Sequence, residues 1–291
     1  VYGLAADARN PDAVARIFEV KGRPVDHPLI VHVASFEFVG AWAATVPEAA
    51  HRIAATCWPG PLTMLLRRGP EVLDAVTGGR DTVGIRVPAH PMAQRLLTTF
   101  GSGLAAPSAN RFGKVSPTTA QHVLDDIGDR LDPGRDAIRD GGGSDVGVES
   151  TIVDLTVDPP QILRTGAISD ADLRRVLAGP VADSSGPSRA SGMLASHYAP
   201  DCVVVPVDDR TSADRLAERH ERAGARGSVL DRTDDLVVAA RWLYADLRAA
   251  DERGVDVLVV VMPQPSGIGH ALRDRITKAA ASRPSPPSPA G

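Results

Sequence analysis

Residues 82–110 read TVGIRVPAHPMAQRLLTTFGSGLAAPSAN, and this stretch decides the fold class of the chain. Residues 82–87 are mostly apolar and predict a buried strand. Pro91 then begins a segment with helical spacing that runs to Phe100. Residues 104–106 predict a second, short strand that ends in a loop of small side chains. A strand, a helix and a strand in direct succession indicate an α/β fold.

The same alternation extends from this stretch in both directions. Asn10 followed by Pro11 predicts a capped helix start, and Ser116 followed by Pro117 predicts another. Further predicted helices cover residues 47–57, 118–127 and 170–177. Further predicted strands cover residues 29–33, 62–66, 151–155 and 162–163. Because the strands do not follow a regular βαβ order, we predict a twisted mixed sheet covered by helices.

Residues 180–200 differ in composition from the chain before them. They are rich in Gly, Ser and Pro and predict a linker, which assigns residues 1–179 to a first domain. Residues 201–281 then show a compact alternation of strands and helices, which predicts a small Rossmann-like α/β domain. The Ser- and Pro-rich residues 282–291 predict a disordered tail.

The overall composition excludes several classes of protein. The chain has 32 Lys and Arg against 36 Asp and Glu, a net charge of −4, so we expect weak or no direct nucleic-acid binding. Cys57 and Cys202 cannot form a disulfide framework, which favours the reducing cytoplasm. The longest apolar run, residues 255–262, is far below the roughly 20 residues of a membrane span, so we expect no membrane association. The chain begins at Val1 on an apolar stretch, and we expect its natural start to be missing.

Basic side chains stand where several predicted elements end. Lys21 and Arg23 lie between a helix and a strand, and His32 follows four apolar strand positions. Arg86 lies within an apolar strand, and Arg164 ends another. Cations placed in this way can bind phosphate, and a buried arginine needs an anionic partner. The alternatives are a solvated helix end for the first pair and an edge strand that leaves Arg86 in water.

Small and hydroxyl side chains occur near these cations. The loop of residues 107–110 follows a strand and leaves room for a ligand, and Ser116 precedes a helix whose first N–H groups can bind an oxyanion. A glycine-rich turn at residues 141–147 leads to Ser150 at the start of a strand. Tyr198 belongs to an aromatic pair at the end of the linker. Helix capping and packing at the hinge are the alternative explanations.

The motifs of common nucleotide and metal sites are absent from the sequence. There is no phosphate loop of the form GxxxxGK[ST], no GxGxxG after the first strand and no HExxH. Cys57 and Cys202 are isolated, without the paired spacing of a zinc site. No single motif therefore identifies the function, and the order of the segments along the chain carries the information.

Taken in order, these segments resemble the threonylcarbamoyl-AMP synthase family in its long form. That form has a YrdC-like catalytic domain, a linker and a small C-terminal domain. The segments are VYGL (1–4), KGRP (21–24), PLIVH (28–32), WPGPLT (58–63), VGIRVP (83–88), PSAN (107–110), SPT (116–118), GVESTI (147–152) and HYAP (197–200). Residues 243–248 and 267–275 also fit, so the resemblance covers nearly the whole chain.

The resemblance implies condensation of L-threonine, bicarbonate and ATP into threonylcarbamoyl-AMP and pyrophosphate, with Mg²⁺ accompanying ATP. The enzyme would be a nucleotidyltransferase of tRNA modification, and a separate complex would transfer its product to tRNA. The implied ATP-binding residues are Lys21, Arg23, His27, Thr82, Ser108, Ser116, Arg164 and Tyr198. The implied threonine-binding residues are His32, Arg86, Ala106 and Ser150. No protein nucleophile is implied, because a carbamate oxygen attacks the α-phosphorus while the protein positions the reactants.

The chain departs from the family pattern at two places. His27 stands where the family usually has Asn, so we expect that nucleotide contact to differ or to depend on pH. The Pro-Thr-x-Thr segment that precedes VYGL in the family is absent, so we expect a threonine-binding residue and a strand to be missing and activity to be low.

Two other functions remain open. One is a carbamoyltransferase that uses carbamoyl-AMP, which the match of Arg86, His32 and Ser150 to an amino-acid pocket disfavours. The other is a non-catalytic RNA-binding module, which the net charge of −4 disfavours.

Overall fold

The computed structural model describes residues 1–183 and 198–281 and contains two sheets. The strands of the larger sheet are β1 (Ala6–Asp7), β2 (Ile30–His32), β3 (Leu62–Arg67), β4 (Thr82–Arg86), β5 (Leu104–Ala105), β6 (Thr151–Asp154), β7 (Gln161–Arg164) and β8 (Ala182–Asp183). The helices around it are α1 (Pro11–Lys21), α2 (Glu48–Cys57), α3 (Asp74–Thr77), α4 (Pro91–Phe100), α5 (Ala120–Ile127) and α6 (Asp170–Leu177). Most of the predicted linker and the predicted tail at 282–291 lie outside the described residues.

The larger sheet is mixed, which confirms the predicted fold class. Its strand order is β1-β5-β2-β4-β3-β6-β7-β8. The pairs β2–β4, β3–β6 and β7–β8 are parallel, and the other neighbours are antiparallel. Because side chains alternate along a strand, the sheet has two different faces. Val83 and Ile85 face the main core with helices α1, α2 and α6, whereas Leu65, Ile152 and Leu163 form a smaller cluster apart from it.

Side-chain caps set several helix boundaries. The Asn10 side chain accepts hydrogen bonds from the backbone N–H groups of Asp12 and Ala13, which confirms the predicted start of α1. The predicted cap at Ser116 is wrong. Its Oγ donates to Glu149 Oε1 at 2.7 Å, and Thr119 instead accepts from the His122 N–H, so α5 begins at Ala120.

The small domain is an independent α/β unit in its strand pairing. Its elements are β9 (Val203–Val207), α7 (Arg210–Arg222), β10 (Gly227–Leu230), α8 (Leu236–Glu252), β11 (Val257–Val261) and α9 (Gly269–Ala280). The three strands are parallel in the order β10-β11-β9. At the other side of the linker, β8 pairs with β7, so the larger sheet extends past the predicted boundary at residue 179.

The two domains share one apolar cluster. Val115 and Val148 of the first domain are buried together with Leu243 and Tyr244 of α8. Tyr198, next to the residues outside the description, lies in the same cluster. Within the described residues, no helix combines the length and the apolar character that crossing a membrane requires.

Candidate active site

Arg23, Arg86 and Arg164 form a group of cations at the ends of the elements that carry them. Arg23 follows α1, and Arg86 and Arg164 are the last residues of β4 and β7. Burial, and then the charge of Arg164, lowers the pKa of both Arg23 and Arg86 to about 10. The Arg164 guanidinium is therefore close enough to Arg23 and to Arg86 to repel each of them, and this part of the molecule favours an anion.

Arg86 is the member of this group that needs an external anion most. Its Nε donates to the Gly60 carbonyl at 2.9 Å. Among the residues that the structure describes, no carboxylate forms an ion pair with it. A cation that is mostly removed from water without a counter-charge is costly, so a ligand carboxylate or phosphate fits here.

Ser150 links Arg164 to the start of the central strands. Arg164 donates from Nε to the Ser150 carbonyl at 3.0 Å and from a terminal nitrogen to Ser150 Oγ at 3.0 Å. Ser150 Oγ and Thr63 Oγ1 are 2.7 Å apart. The sequence reasoning did not single out Thr63, which it quoted only within WPGPLT. The parallel pairing of β3 with β6, which brings Thr63 beside Ile152, would have revealed it.

His32 adds a neutral polar group beside Arg86. The two residues are direct partners in the parallel pair β2–β4. Burial, and then the Arg86 charge, lowers the His32 pKa to about 3. Its Nδ1 is buried and has no hydrogen-bond partner in the described part of the chain. An unsatisfied buried nitrogen is costly, so this atom is suited to a polar group of a ligand. Ala106 lies near, since its N–H donates to the Ile30 carbonyl at 3.0 Å.

The Lys21 side chain is hydrogen-bonded to the backbone of a loop of the site. Its buried Nζ donates to the carbonyl oxygens of Ser108 and Asn110 at 2.6 and 2.5 Å. Burial, and then the Arg23 charge, lowers its pKa to about 7. The family resemblance implied ATP contacts for Lys21 and Ser108, and the structure places the Lys21 ammonium on the backbone of that loop. Direct contact with ATP stays a prediction for both.

Arg23 and His27 gather around an aromatic ring that the sequence reasoning overlooked. The Arg23 guanidinium lies over the Phe112 ring at 5.7 Å, and the His27 ring packs edge-on against Phe112 at 5.2 Å. Arg23 also donates to the Pro28 carbonyl at 3.0 Å. Thr82 begins β4, at the opposite end of that strand from Arg86. Because Ile30 lies beside Gly84 in the parallel pair, Thr82 stands next to the start of β2.

Ser116 and Tyr198 lie at the contact between the domains. Ser116 is buried and donates to Glu149. The Tyr198 ring stacks on Tyr244 with the ring centroids 5.4 Å apart, and the Arg275 guanidinium lies 5.3 Å from the Tyr198 ring. Burial raises the pKa of Tyr198 to about 12, so its hydroxyl is protonated. Ser116 is linked to the arginine group through Glu149, whose carboxylate charge acts to raise the Arg164 pKa.

The described residues contain no group of three or more His, Cys, Asp or Glu side chains arranged to hold a metal ion. Glu149, the buried carboxylate nearest to the arginines, already accepts hydrogen bonds from Ser116, Tyr244 and Arg275. A Mg²⁺ ion at this site would therefore take most of its oxygen ligands from phosphate and water.

Comparisons with known proteins indicate one family for both domains of the chain. A family model described as "Telomere recombination" matches residues 1–166, and one described as "Threonylcarbamoyl-AMP synthase, C-terminal domain" matches residues 168–281. The threonylcarbamoyl-AMP synthase of Pyrococcus abyssi is 38% identical over 97% of this chain and 88% of its own length. That of Bacillus subtilis is 36% identical, again over 97% of this chain and 88% of its own length. A crystal structure of P. abyssi Sua5 complexed with L-threonine superposes with a TM-score of 0.88 and 38% identity, covering 96% of this chain and 88% of that one.

Proposed function

This chain belongs to the threonylcarbamoyl-AMP synthase family, and we propose that the arginine group is the place where it condenses L-threonine, bicarbonate and ATP. The products are threonylcarbamoyl-AMP and pyrophosphate, which makes the enzyme a nucleotidyltransferase of tRNA modification. The observation that supports this site best is Arg86, a largely buried cation beside Arg164 with no carboxylate partner among the described residues.

Threonine is assigned to the end of β2 and β4. The Arg86 guanidinium pairs with the threonine carboxylate, since a planar fork matches a carboxylate. His32 offers its unsatisfied Nδ1 to another polar group of the amino acid. Because the His32 ring is neutral at physiological pH, it adds no positive charge against the amine that must react. Ser150 and Ala106 complete the pocket.

ATP is assigned to the cations and hydroxyls along the same face. Arg23 and Arg164 neutralise the phosphates, and Thr82, Ser108, Ser116, Lys21, His27 and Tyr198 are the other proposed ATP-binding residues. The amine of threonine and bicarbonate form a carbamate with loss of water, and a carbamate oxygen then attacks the α-phosphorus as pyrophosphate leaves. The chain's own part is to position the reactants and to neutralise charge as it develops. Mg²⁺, when bound with ATP, would supply further neutralisation of the phosphates.

The further fate of the product completes the proposal. Threonylcarbamoyl-AMP is a reactive mixed anhydride, which a separate transfer complex would use to modify tRNA. Cys57 and Cys202 are both buried, and the cytoplasmic location predicted from the sequence is kept as part of this proposal.

The test is pyrophosphate release measured with each substrate omitted in turn. We expect release only when ATP, L-threonine and bicarbonate are all present, because the attacking oxygen belongs to the carbamate made from the last two. Full release without threonine, or transfer from carbamoyl phosphate in place of bicarbonate, would contradict the proposal and favour a carbamoyltransferase.

A further inference from the structure

One short loop of the first domain is divided between the two domains. Gly147 lies at φ 73°, and a Cβ at this position would collide with the carbonyl oxygens of Ala240 and Arg241 in α8. Val148 is buried in the shared apolar cluster. Thr151 instead joins the larger sheet, where its N–H donates to the Pro61 carbonyl at 2.9 Å. The chain therefore crosses from the small domain's surface to the catalytic sheet within a few residues.

Glu149 is the anchor of this loop. Its Oε1 accepts from Ser116 Oγ at 2.7 Å, and its Oε2 accepts from the Tyr244 hydroxyl at 2.6 Å and from Arg275 Nε at 3.1 Å. Burial acts to raise the Glu149 pKa, but the charges of Arg275 and Arg164 outweigh it and hold the pKa well below its ordinary range. Glu149 is thus a buried carboxylate ion that depends on partners from the small domain.

Arg275 also reaches the strand that carries Arg164. Its side chain is fully buried, and one terminal nitrogen donates to the Thr165 carbonyl at 2.9 Å. Thr165 follows Arg164 directly, and Glu149 precedes Ser150 directly. The small domain therefore holds the immediate neighbours of two residues that hydrogen-bond each other in the proposed site.

We infer that Tyr244 and Arg275 of the small domain are positioning residues for the reaction, which they support by fixing Ser150 and Arg164 through Glu149 and Thr165. Neither residue needs to touch a substrate. Without their hydrogen bonds the Glu149 carboxylate must recruit water, and the loop that ends in Ser150 moves with it. The inference rests on the proposed function, because it takes Ser150 and Arg164 as substrate contacts.

The test compares Tyr244→Phe and Arg275→Lys with Arg232→Lys as a matched control. Tyr244→Phe keeps the ring that stacks on Tyr198 and removes only the hydroxyl. Arg232 forms an ion pair with Asp246 inside the small domain, at 2.5 and 2.8 Å, away from the loop. We expect the KM for threonine and for ATP to rise about tenfold in the first two variants, the effect of one hydrogen bond to a charged group, and to stay unchanged in the control. A variant that merely loses folded protein would lower kcat and leave both KM values at the wild-type level.

Hydrogen exchange of the amides in residues 147–154 provides a readout that does not depend on activity. Exchange should be faster in Tyr244→Phe and Arg275→Lys than in wild type or Arg232→Lys. Wild-type exchange, or faster exchange with unchanged KM values, would overturn the inference while leaving the synthase assignment intact. If the wild-type chain releases no pyrophosphate, the proposed function fails. In that case, the exchange rates and the ATP affinity measured by calorimetry still test whether Tyr244 and Arg275 fix the loop and Arg164.

Discussion

At the scale of single residues, the site is marked by Arg86, a cation that forms no ion pair with a carboxylate among the residues that the structure describes. Arg86 and His32 are partners on adjacent strands, where a cation lies beside a buried nitrogen, His32 Nδ1, that has no hydrogen-bond partner in the described part of the chain, and this pair suits a small zwitterionic ligand. Elsewhere in the first domain a part-buried cation has a carboxylate partner: Arg16 pairs with Asp136 at 2.7 Å. The contrast separates cations that serve the fold from those that serve a ligand.

Arg86→Ala should weaken threonine binding and leave ATP binding nearly unchanged. The lost charge-assisted contact should weaken threonine by about 1.5–3 kcal/mol, whereas Arg23 and Arg164 remain for the phosphates. Calorimetric titration with each ligand measures both effects. Arg52→Ala, which removes an exposed cation paired with Glu48 on α2, is the control and should bind both ligands as wild type does. Equal loss of ATP and threonine affinity would remove Arg86 from the proposed carboxylate contact.

His32 should make the protein less stable in mild acid. Its pKa is about 3 in the folded chain against an ordinary value of 6.5, so between these values the unfolded chain binds a proton that the folded chain does not. The stability contributed by the neutral ring is present above about pH 6.5 and is lost progressively as the pH falls. Urea unfolding at pH 7 and at pH 5 should therefore show a larger loss for wild type than for His32→Asn. An identical loss in both proteins would contradict the assignment of a depressed pKa.

Sequence reasoning identified the charged residues of this site but not how each is used. The positions of Arg23, Arg86 and Arg164 at element ends follow from local pattern. The hydrogen bonds of Lys21 to a loop 87 and 89 residues further along do not, because no local pattern records which backbone carbonyls a lysine will meet. Phe112 was also missed, because a single aromatic residue in a predicted loop has no periodic pattern that would mark it as part of a site.

At the scale of elements, boundaries could be predicted where a side chain caps the helix. The start of α1 after Asn10 and the full extent of α4 and α6 agree with the sequence. β1 and β8 were missed because each is only an Ala-Asp pair, which is too short to show alternation and lacks the run of apolar residues that marks β5. The start of α5 was misplaced because Ser116, a good cap by type, is engaged by a carboxylate distant in sequence. At this position, the tertiary contact with Glu149 overrides the capping propensity of Ser116.

Gly147→Ala should loosen the contact between the loop and α8. The left-handed backbone alone costs a residue with a Cβ about 1–3 kcal/mol, and the collision with the α8 carbonyls adds to this. Gly79→Ala is the matched control, because Gly79 has φ 76° and nothing lies within reach of an added Cβ. Chemical unfolding should show a clearly larger destabilisation for Gly147→Ala. Equal destabilisation in the two variants would mean that an added Cβ at Gly147 makes no steric clash with α8.

At the scale of the whole molecule, the two domains are joined by polar contacts as well as by the shared cluster. Arg248 of α8 donates to both carboxylate oxygens of Asp126 in α5, at 3.1 and 2.6 Å, and both side chains are largely buried. Lys114 pairs with Asp201 at 2.5 Å near the linker. The order of domains could be predicted from composition, but these contacts could not, because they join residues more than 80 positions apart.

Arg248→Met should separate the unfolding of the two domains. Removing the cation leaves Asp126 partly buried without its partner, which weakens the interface by about 1–3 kcal/mol. Calorimetry should then show two transitions, or a van't Hoff enthalpy below the calorimetric one, where wild type shows a single transition. Arg232→Met breaks a pair inside the small domain and should keep the domains coupled. A single cooperative transition in Arg248→Met would show that the remaining contacts, namely the apolar cluster and the hydrogen bonds of Glu149, are sufficient to couple them.

The divided loop at residues 147–151 also limits how the small domain can be exchanged between proteins. A transplant cut in the linker would carry Tyr244 and Arg275 away and leave Glu149 facing a foreign surface with its negative charge intact. The recipient would need a donor hydroxyl and a guanidinium at the same two places, and a groove in its own helix able to admit the backbone at Gly147. The small domain can therefore be exchanged only together with this loop of the catalytic domain, because the two surfaces have to match.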